Sequence, residues 1–290
     1  TTKYLMQSIV RGNAVSFLHA AFEKKVHPHS FLFGITNGVN LPRWRSKDWP
    51  QKPANEISDE ELWRFKNTKR QALVDMVKEK TSFDLDPNAL TVVWARRFAP
   101  YKRPEMLFND MKRLATLLNK KDQPIQFVMT GNAGYDNEEG KKLLEEIMAK
   151  MGSKSLHGRT VYVPGYSIEM AHKLVEGADL WLNTPVRGKE ASATSGMKAG
   201  LNGTLQFSVS DGWIEEVDWS DKGWVLPNEN SEKALYEILE NDIRSMFYTR
   251  ENDIPKDWIA RMRNTAKWVE CNYTTERMLK DYVEKLYFPH

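Results

Sequence analysis

Residues 89–131 read ALTVVWARRFAPYKRPEMLFNDMKRLATLLNKKDQPIQFVMTG. The apolar run at 89–95 predicts a buried strand, the amphipathic stretch at 104–119 a helix, and the apolar run at 124–131 a second strand. A strand, a helix and a second strand in this order are typical of a parallel βαβ unit. Both strands are apolar without alternation, which indicates that both of their faces are buried.

The same alternation of elements continues along the chain. Helices are expected at 138–151 and 167–177, and strands at 159–166, 178–184 and 204–212. Together these elements predict an α/β fold with an open, doubly wound and mostly parallel sheet. Such sheets bind ligands at the carboxyl ends of their strands, so the loops after the strands are where a site is expected.

Helical segments are expected on both sides of this α/β block. Before it, residues 31–39 resemble a short strand and residues 58–80 a helix. After it, residues 233–288 have helical patterning throughout. The opening residues 1–26 also have helical spacing, with an apolar face made of Ile9, Val15, Leu18 and Phe22.

The composition is typical of a globular protein and excludes several classes of partner. Hydrophobic residues make up 41% of the chain and charged residues 28%. A net charge of +3 does not argue for nucleic acid or a membrane surface, and no apolar run approaches the roughly 20 residues that cross a bilayer. Cys271 is the only cysteine, which excludes an internal disulfide and suits a reducing compartment such as the cytoplasm. The sequence has no Cys/His cluster with zinc spacing, so no metal is expected.

The loop after the first of these strands is strongly basic. It reads ARRFAPYKR (95–103), and its cations are Arg96, Arg97, Lys102 and Arg103. Arginine grips a phosphate through two hydrogen bonds and lysine adds a point charge, so a dianion-binding site is one interpretation. A solvated basic turn is the other. The glycine loop after the next strand, TGNAGYD (130–136), is a weak signal and most simply a βα turn.

A second unusual segment, GKEASATSGMKAGLNG (188–203), follows the strand at 178–184. It predicts a helix of about two turns that ends at Asn202. The candidate N-cap residues are Ser192, Thr194 and Ser195. A helix N-terminus attracts a phosphate, and Lys198, among small residues, has room to form a Schiff base with an aldehyde cofactor. The alternative is a helix packed closely on the sheet, whose lysine extends to water.

Four blocks of the sequence resemble the α-glucan phosphorylase family of glycogen, starch and maltodextrin phosphorylases, and most closely its shorter bacterial and archaeal members. The first block is NAVSFLH (13–19) followed by ITNGVNLPRW (35–44). The others are VVWARRFAPYKRPEML (92–107), YSIEMAHKLVEGADLWLNTP (166–185) and EASATSGMKAGLNG (190–203). The resemblance covers nearly the whole chain, and the block that contains Lys198 is highly specific.

The resemblance implies a Rossmann-like domain of a two-domain glycosyltransferase, with flanking helical segments. Residues 1–57 would be the end of the family's N-terminal domain and a linker. Residues 58–232 would form the Rossmann-like domain that binds cofactor and phosphate, and 233–290 a helical segment that packs back across the domains. We therefore expect the C-terminal half of a phosphorylase, inactive without the N-terminal domain.

The resemblance also implies roles for the residues that match the family's motifs. Lys198 would hold pyridoxal 5′-phosphate as a Schiff base, and Arg97 and Lys102 would hold the inorganic or glucosyl phosphate; these three are the expected catalytic residues. The positions that match contacts to the cofactor phosphate are Arg96, Thr194 and Ser195. The positions that match the site of the transferred glucose are Glu190, Ser192, Ala193, Asn37, His19 and Tyr101.

The implied reaction is reversible phosphorolysis, in which an α-1,4-glucan and inorganic phosphate give glucose 1-phosphate and a shortened glucan. In the family the cofactor's phosphate is thought to exchange a proton with the substrate phosphate. The protein's cations would then stabilise the charge that develops on that phosphate. The implied partners are the glucan, the two phosphates and the N-terminal domain, and a homo-oligomer is left open.

The sequence departs from the family's pattern at two positions of these blocks. Ala193 stands where the family usually has glycine, and Asn132 stands where a lysine is expected. Two other functions are therefore considered. One is a nucleotide-sugar-dependent glucan synthase, which shares the architecture and an Arg–Lys pair but needs no aldehyde cofactor. The other is a non-catalytic, glucan-binding relative.

Overall fold

A computed structural model describes residues 11–28, 31–156 and 158–288 of the chain. Within these residues the strands are β1 (Gly12–Ala14), β2 (Leu32–Gly34), β3 (Leu90–Ala95), β4 (Ile125–Thr130), β5 (Thr160–Val163), β6 (Leu180–Asn183), β7 (Leu205–Val209) and β8 (Gly223–Leu226). Strands β1 and β2 form a separate parallel pair. The other six form one parallel sheet in the order β5-β4-β3-β6-β7-β8.

Helices cover both faces of the sheet and continue to the end of the described chain. They are α1 (Phe17–Val26), α2 (Leu41–Trp44), α3 (Asp59–Thr81), α4 (Met111–Leu118), α5 (Glu138–Met151), α6 (Ile168–Gly177), α7 (Thr194–Leu201), α8 (Ser231–Ile238), α9 (Arg244–Tyr248), α10 (Lys256–Asn272) and α11 (Thr275–Tyr282). Two π-helical segments, Leu239–Ile243 and Val283–Tyr287, follow α8 and α11. The mostly parallel α/β sheet predicted from the sequence is confirmed.

The order of the strands places a topological switch point at the centre of the sheet. Strand β3 pairs with β4 on one side and with β6 on the other, in the register Val92 with Leu180. The chain therefore winds away from the β3–β6 pair in two directions. In parallel sheets the crevice at the carboxyl ends of such a pair is where ligands bind.

Two apolar cores lie on opposite faces of the sheet. Val92 and Trp94 of β3 belong to the larger core, whereas Val93 and Ala95 belong to the core on the other face. Successive side chains of a strand point to opposite faces, so β3 contributes to both cores. The prediction that the strands are buried on both faces is confirmed.

The five strands predicted in the α/β block are confirmed, and one strand was missed. Strand β8, with the sequence GWVL, forms the edge of the sheet beside β7. It has only four residues, it begins with glycine, and Trp224 and Val225 are half-buried. A short edge strand with this exposure lacks the continuous apolar signal that identifies the central strands.

The helix expected at 104–119 is wrong in its first half. Residues Pro104–Phe108 form a 3₁₀ helix, and α4 starts only at Met111. The break occurs at Asp110, whose side chain accepts a hydrogen bond from the backbone N–H of Arg113 at 2.9 Å. Aspartate favours such a cap over a position inside a helix, and this preference outweighed the apolar periodicity.

The helix expected over residues 1–26 is also shorter than predicted. Helix α1 begins after Ser16, whose hydroxyl accepts a hydrogen bond from the backbone N–H of His19 at 3.1 Å. Val15 precedes the helix, because the residues before it form β1 and pair with β2. Ile9, the first residue of the predicted apolar face, lies outside the described residues.

A buried ion pair joins α3 to the side of the sheet where the amino-terminal ends of the strands lie. The guanidinium of Arg70 donates three hydrogen bonds to the Asp179 carboxylate, at 3.1, 2.8 and 2.7 Å. That carboxylate also accepts the backbone N–H of Thr91 at 2.9 Å, and both charged side chains are almost fully buried. One acid therefore connects a helix with the first residues of β3 and β6, at the edge of the sheet opposite the switch-point crevice.

Neither a membrane-spanning helix nor a metal-binding cluster is found in the part of the chain that the structure describes. None of the described helices is both long and apolar enough to cross a bilayer. The described residues also contain no group of three or more His, Cys, Asp and Glu side chains that could hold a metal ion.

Candidate active site at the carboxyl edge of the sheet

The basic loop after β3 is held in place by the glycine loop after β4. The backbone N–H of Arg96 donates to Thr130 O at 3.1 Å, and that of Phe98 to Asn132 O at 3.1 Å, so the pairing of the two strands continues beyond their ends. Gly131 has a φ of 138°, and a Cβ there would overlap the carbonyl of Arg96. The glycine loop is thus more than a turn, because its glycine allows the two loops to approach each other.

Three of the predicted site residues form one charged cluster in the switch-point crevice. Arg96 donates hydrogen bonds to Asn183 Oδ1 and Glu190 Oε2. The Lys102 ammonium donates to the same Glu190 oxygen at 2.9 Å. Burial acts to raise the pKa of Glu190, but the charges of Arg96 and Lys102 outweigh it and hold the pKa below its ordinary value. The carboxylate is therefore charged and acts as an acceptor.

Arg97 differs from the other cations of the loop because its side chain is exposed and donates to no acceptor among the described residues. It lines a cavity of about 290 Å³ together with Arg96, Tyr166 and the glycine loop at 131–134. A guanidinium without a partner, beside a second arginine and glycine backbone, suits an anionic ligand. The solvated-turn interpretation does not fit Arg96 and Lys102, because both are buried, and among these three cations only the exposed Arg97 is compatible with it.

Arg103, the fourth cation, has a structural role. Its guanidinium donates to the carbonyls of Thr184 and Pro185, each at 3.0 Å. It thereby fastens the loop after β6 to the loop after β3. Tyr101 makes a similar connection, since its carbonyl accepts the N–H of Val186 at 2.6 Å, and its ring lies 4.9 Å from the Lys102 ammonium.

Helix α7 starts without a side-chain cap, so the predicted capping residues are wrong. The N-cap position is Ala193, in the left-handed region at φ 67° and ψ 47°. The Ser195 hydroxyl instead accepts a hydrogen bond from the Trp181 indole at 3.3 Å, and the buried Ser192 hydroxyl has no partner among the described residues. The backbone N–H groups of Thr194 and Ser195 also lack an acceptor in the described chain. Unpaired N–H groups and the positive end of the helix dipole favour an anion here.

Lys198 lies one turn into α7 and is half-buried. Its ammonium is 4.0 Å from the centre of the Trp44 ring and makes no ion pair or hydrogen bond with a described residue. Burial, together with the charge of Arg43, lowers its pKa. Trp44 in turn stacks on His172, with ring centres 4.7 Å apart. A lysine with a lowered pKa has a larger neutral fraction, which is the nucleophilic form of the amine.

The close-packing interpretation of the small residues in 188–203 is confirmed for two glycines of α7. A Cβ on Gly196 would lie 2.5 Å from Gln206 Oε1, and one on Gly200 would lie 3.1 Å from side-chain atoms of Thr265 and Val269. These two glycines therefore allow α7 to pack closely on β7 and α10. The space beside Lys198 is bounded by Trp44, so the lysine does not extend freely to water.

His19 and Asn37 lie on the N-terminal segments and make no hydrogen bond or ion pair with Glu190 or Arg97 in the described chain. The His19 ring accepts the N–H of Val15 at 3.3 Å and lies 3.4 Å from Glu23 on its own helix. The Asn37 carbonyl accepts from Arg277 at 3.1 Å. Helix α1 does reach the site, because the Phe22 ring packs on Gly188, two residues before Glu190.

Three further residues belong to this site but were given no role from the sequence. Tyr166 follows β5 and lines the cavity, Trp44 lies against Lys198, and Asp211 follows β7 and contacts the loop of Glu190. Tyr166 and Asp211 lie at the carboxyl ends of the strands predicted at 159–166 and 204–212, and this position was a signal that could have identified them. Trp44 is brought to α7 by a segment more than 150 residues earlier, and no local pattern indicates that contact.

Comparisons with known proteins agree on one family. The sequence model of the carbohydrate phosphorylase family matches residues 50–224. The chain is 32% identical over 329 residues to glycogen phosphorylase of Aquifex aeolicus. This alignment covers 95% of this chain and 47% of that protein. It is 31% identical to maltodextrin phosphorylase of Thermococcus litoralis over 95% of this chain. It is 30% identical to glycogen phosphorylase of Mycobacterium tuberculosis over 96% of this chain. Each alignment covers 39% of the relative. The chain thus spans less than half the length of each of these curated relatives.

Proposed function

The chain belongs to the carbohydrate phosphorylase family, and we propose on that premise that it forms the cofactor- and phosphate-binding part of an α-1,4-glucan phosphorylase. The whole protein would convert an α-1,4-glucan and inorganic phosphate reversibly into glucose 1-phosphate and a shortened glucan. The relatives' names include glycogen and maltodextrin phosphorylases, which act on such substrates. This chain would supply the charged edge of the sheet.

The observation that carries the proposal is the group of three cations at the switch point. Arg97 is free to bind an anion and lines one cavity with Arg96, and the buried Arg96 and Lys102 share the Glu190 carboxylate. A phosphate bound by Arg97 would come within the field of two further positive charges. In a buried crevice such charges stabilise the negative charge that develops when phosphate leaves or attacks the sugar.

Pyridoxal 5′-phosphate fits the residues around α7. The cofactor needs an unpaired amine, an apolar surface for its ring and donors for its phosphate. Lys198 offers the amine, with a lowered pKa, and Trp44 offers the apolar surface. The unpaired N–H groups of Thr194 and Ser195, with Arg96 nearby on the next strand, would hold the phosphate. When bound, the cofactor supplies a phosphate group that exchanges a proton with the substrate phosphate.

The protein's own residues would then bind and orient the substrates. Arg97 and Lys102 hold the substrate phosphate through charge-assisted hydrogen bonds. Glu190 stays ionised because of its two cationic neighbours, so it can accept a hydrogen bond from a glucose hydroxyl. The buried and unpartnered Ser192 hydroxyl is available as a second contact to the sugar. Asn37, His19 and Tyr101 would complete the sugar site in the closed, whole protein.

Cofactor attachment is the first test. The full-length gene product is incubated with pyridoxal 5′-phosphate, reduced with borohydride and digested, and the modified lysine is identified by mass spectrometry. Modification is expected at Lys198, and the Lys198→Arg variant is expected to lose it while Lys102 stays unmodified in both. A saturated, full-length protein without modification at Lys198 would remove the main support for the proposal. Glucan elongation from a nucleotide sugar without that modification would favour the synthase alternative.

Steady-state kinetics of the full-length protein are the second test. The Arg97→Ala and Lys102→Ala variants are expected to raise KM for phosphate by roughly tenfold or more, because each loses a charge-assisted hydrogen bond, while KM for the glucan changes by less than about twofold. The matched control is Lys189→Ala, which removes an exposed lysine of the same region. Equal losses for phosphate and glucan would contradict the assigned roles.

A further inference from the structure

Asp211 is a buried acid whose carboxylate faces backbone N–H groups. It lies two residues beyond the end of β7 and is only 1% exposed. Its Oδ1 accepts the N–H of Gly212 at 2.9 Å, and its Oδ2 accepts the N–H of Glu190 at 3.0 Å. The Glu190 donor belongs to the loop that follows β6.

The residues after Asp211 fasten the same loop a second time. The N–H of Trp213 donates to the carbonyl of Ser192 at 3.2 Å. Gly212 has a φ of 57°, and a Cβ there would lie 2.7 Å from that same carbonyl. The loop from 188 to 192 therefore lies directly against residues 211–213, at a distance that only glycine at position 212 allows.

The two acids of this region have opposite surroundings. Glu190 faces Arg96 and Lys102, whereas Asp211 makes no ion pair with a described residue and is surrounded by amide donors. Asp211 thus has no direct contact with the cations. Its hydrogen bond reaches the backbone of Glu190, and the Glu190 side chain makes the contact with the cations.

We propose that Asp211 is a positioning residue. By accepting the N–H of Glu190, it holds the backbone of Glu190 so that the carboxylate reaches both Arg96 and Lys102. The acid that would bind glucose and the cations that would bind phosphate are thereby kept as one unit. The part of this inference that concerns turnover rests on the proposed function, whereas the backbone contacts can be tested without it.

A double-mutant cycle on the full-length protein tests the coupling. Asp211→Asn keeps the shape of the side chain but replaces one accepting oxygen by an amide group, so it cannot accept the N–H groups of Gly212 and Glu190 on separate oxygens. We expect Asp211→Asn and Glu190→Gln each to lower kcat/KM for phosphorolysis by at least about tenfold, and the double variant to be less than about threefold below Glu190→Gln alone. The matched control is Asp218→Asn, an exposed acid that also accepts a backbone N–H, from Ser220 at 3.0 Å. It is expected to leave kcat/KM unchanged.

Two results of the cycle would overturn the proposal. One is an Asp211→Asn variant with wild-type kcat/KM. The other is a double variant whose loss equals the product of the two single losses, because that would mean that Asp211 acts independently of Glu190. A purely structural role would lower the melting temperature and multiply with the effect of Glu190→Gln.

Hydrogen exchange on the wild-type protein provides a measurement that needs no variant. The amide of Glu190 is expected to exchange at least about a hundredfold more slowly than an unstructured amide, because it is bonded to a buried carboxylate. Exchange at the unprotected rate would overturn the proposal even if Asp211→Asn did not fold. A wild-type protein that protects this amide but shows no phosphorolysis would instead reject the proposed function and leave the contact in place.

Discussion

Ala193 shows how one methyl group can conflict with the backbone around a site. Its φ of 67° lies in the left-handed region, where a side chain other than glycine is strained. The position starts α7, and the resemblance to the phosphorylase family led us to expect glycine there. The chain therefore keeps a backbone conformation that suits glycine while carrying alanine, and it does so next to Lys198.

Replacing Ala193 by glycine is expected to stabilise the protein. The left-handed conformation penalises alanine by roughly 1 kcal/mol, and glycine's greater freedom in the unfolded chain offsets part of that gain, so the free energy of unfolding should rise by about 0.5 kcal/mol. Urea unfolding measures the change. Ala149→Gly in the exposed, right-handed interior of α5 is the control and should lose about 1 kcal/mol. A loss of similar size at both positions would contradict the role of the φ angle.

A second residue, Lys66, links stability to pH. Its ammonium is fully buried and donates to the carbonyls of Glu176 and Ala178, each at 2.9 Å, and to Thr204 Oγ at 3.0 Å. Burial lowers the pKa of Lys66 from 10.5 to about 7. Between these two pH values the unfolded chain binds a proton that the folded protein does not, so the free energy of unfolding rises with pH through this window. Below the window Lys66 is protonated in both states, and its contribution to stability no longer changes with pH.

The Lys66→Met variant is expected to remove this dependence. From pH 7.5 to pH 9.5 the free energy of unfolding of the wild type should rise by about 2 kcal/mol more than that of the variant, because unfolding takes up nearly one proton per molecule throughout that range. Chemical unfolding at both pH values gives the difference. Lys142→Met, at an exposed position of α5, is the control and should follow the wild type. Parallel pH profiles for Lys66→Met and wild type would disprove the linkage.

At the scale of elements, α7 is a helix whose two sides have different surroundings. Gly196 faces Gln206 of β7 and the Trp213 ring, whereas Lys198, two residues later, faces Trp44. One side is packed on the sheet, and the other carries the lysine to which we assign the cofactor. Any change that displaces the packed side also moves the lysine.

The Gly196→Ala variant is expected to be destabilised by about 1–2 kcal/mol, because its Cβ would overlap Gln206 and this strain exceeds the helix-propensity gain. Thermal unfolding measures the loss. The control is Gly152→Ala at the end of α5, where the nearest atom to the new Cβ, Met148 O, is 3.5 Å away. That variant should be within about 0.5 kcal/mol of the wild type. Equal stability of the two variants would show that α7 can shift without penalty.

Elements with strong local signals were predicted correctly, and those governed by neighbours were not. The central strands β3, β4 and β6 are continuously apolar, and α3 starts at Ser58 as its capping pattern indicates. The edge strand β8 was missed because pairing with β7, and not its own apolar content, makes it a strand. The start of α7 was misjudged because the Ser195 hydroxyl binds Trp181 of a neighbouring strand instead of capping its own helix.

At the scale of the whole molecule, the Arg70–Asp179 pair connects layers that are distant in sequence. The Asp179→Ala variant would leave a buried guanidinium without its partner, so we expect a loss of about 3–5 kcal/mol in the free energy of unfolding. Asp84→Ala, which removes the acid of an exposed pair with Lys78, is the control and should lose less than about 1 kcal/mol. Urea unfolding of both variants distinguishes the two cases. If Asp179→Ala loses as little stability as Asp84→Ala, other acceptors such as the carbonyl of Pro87 are enough to satisfy the Arg70 guanidinium.

The sequence by itself determined the layers of this protein and the places where its chemistry would lie. Apolar runs separated by amphipathic stretches specify buried parallel strands and covering helices, because burial of both strand faces is a local property of composition. The basic loop after β3 and the small-residue segment around Lys198 follow from the same pattern. Only the tertiary structure decided that Glu190 pairs with Arg96 and Lys102, that Trp44 faces Lys198, and that Asp211 holds the loop of Glu190. These contacts join residues from different strand ends, and the order of the strands in the sheet, which no local pattern encodes, brings them together.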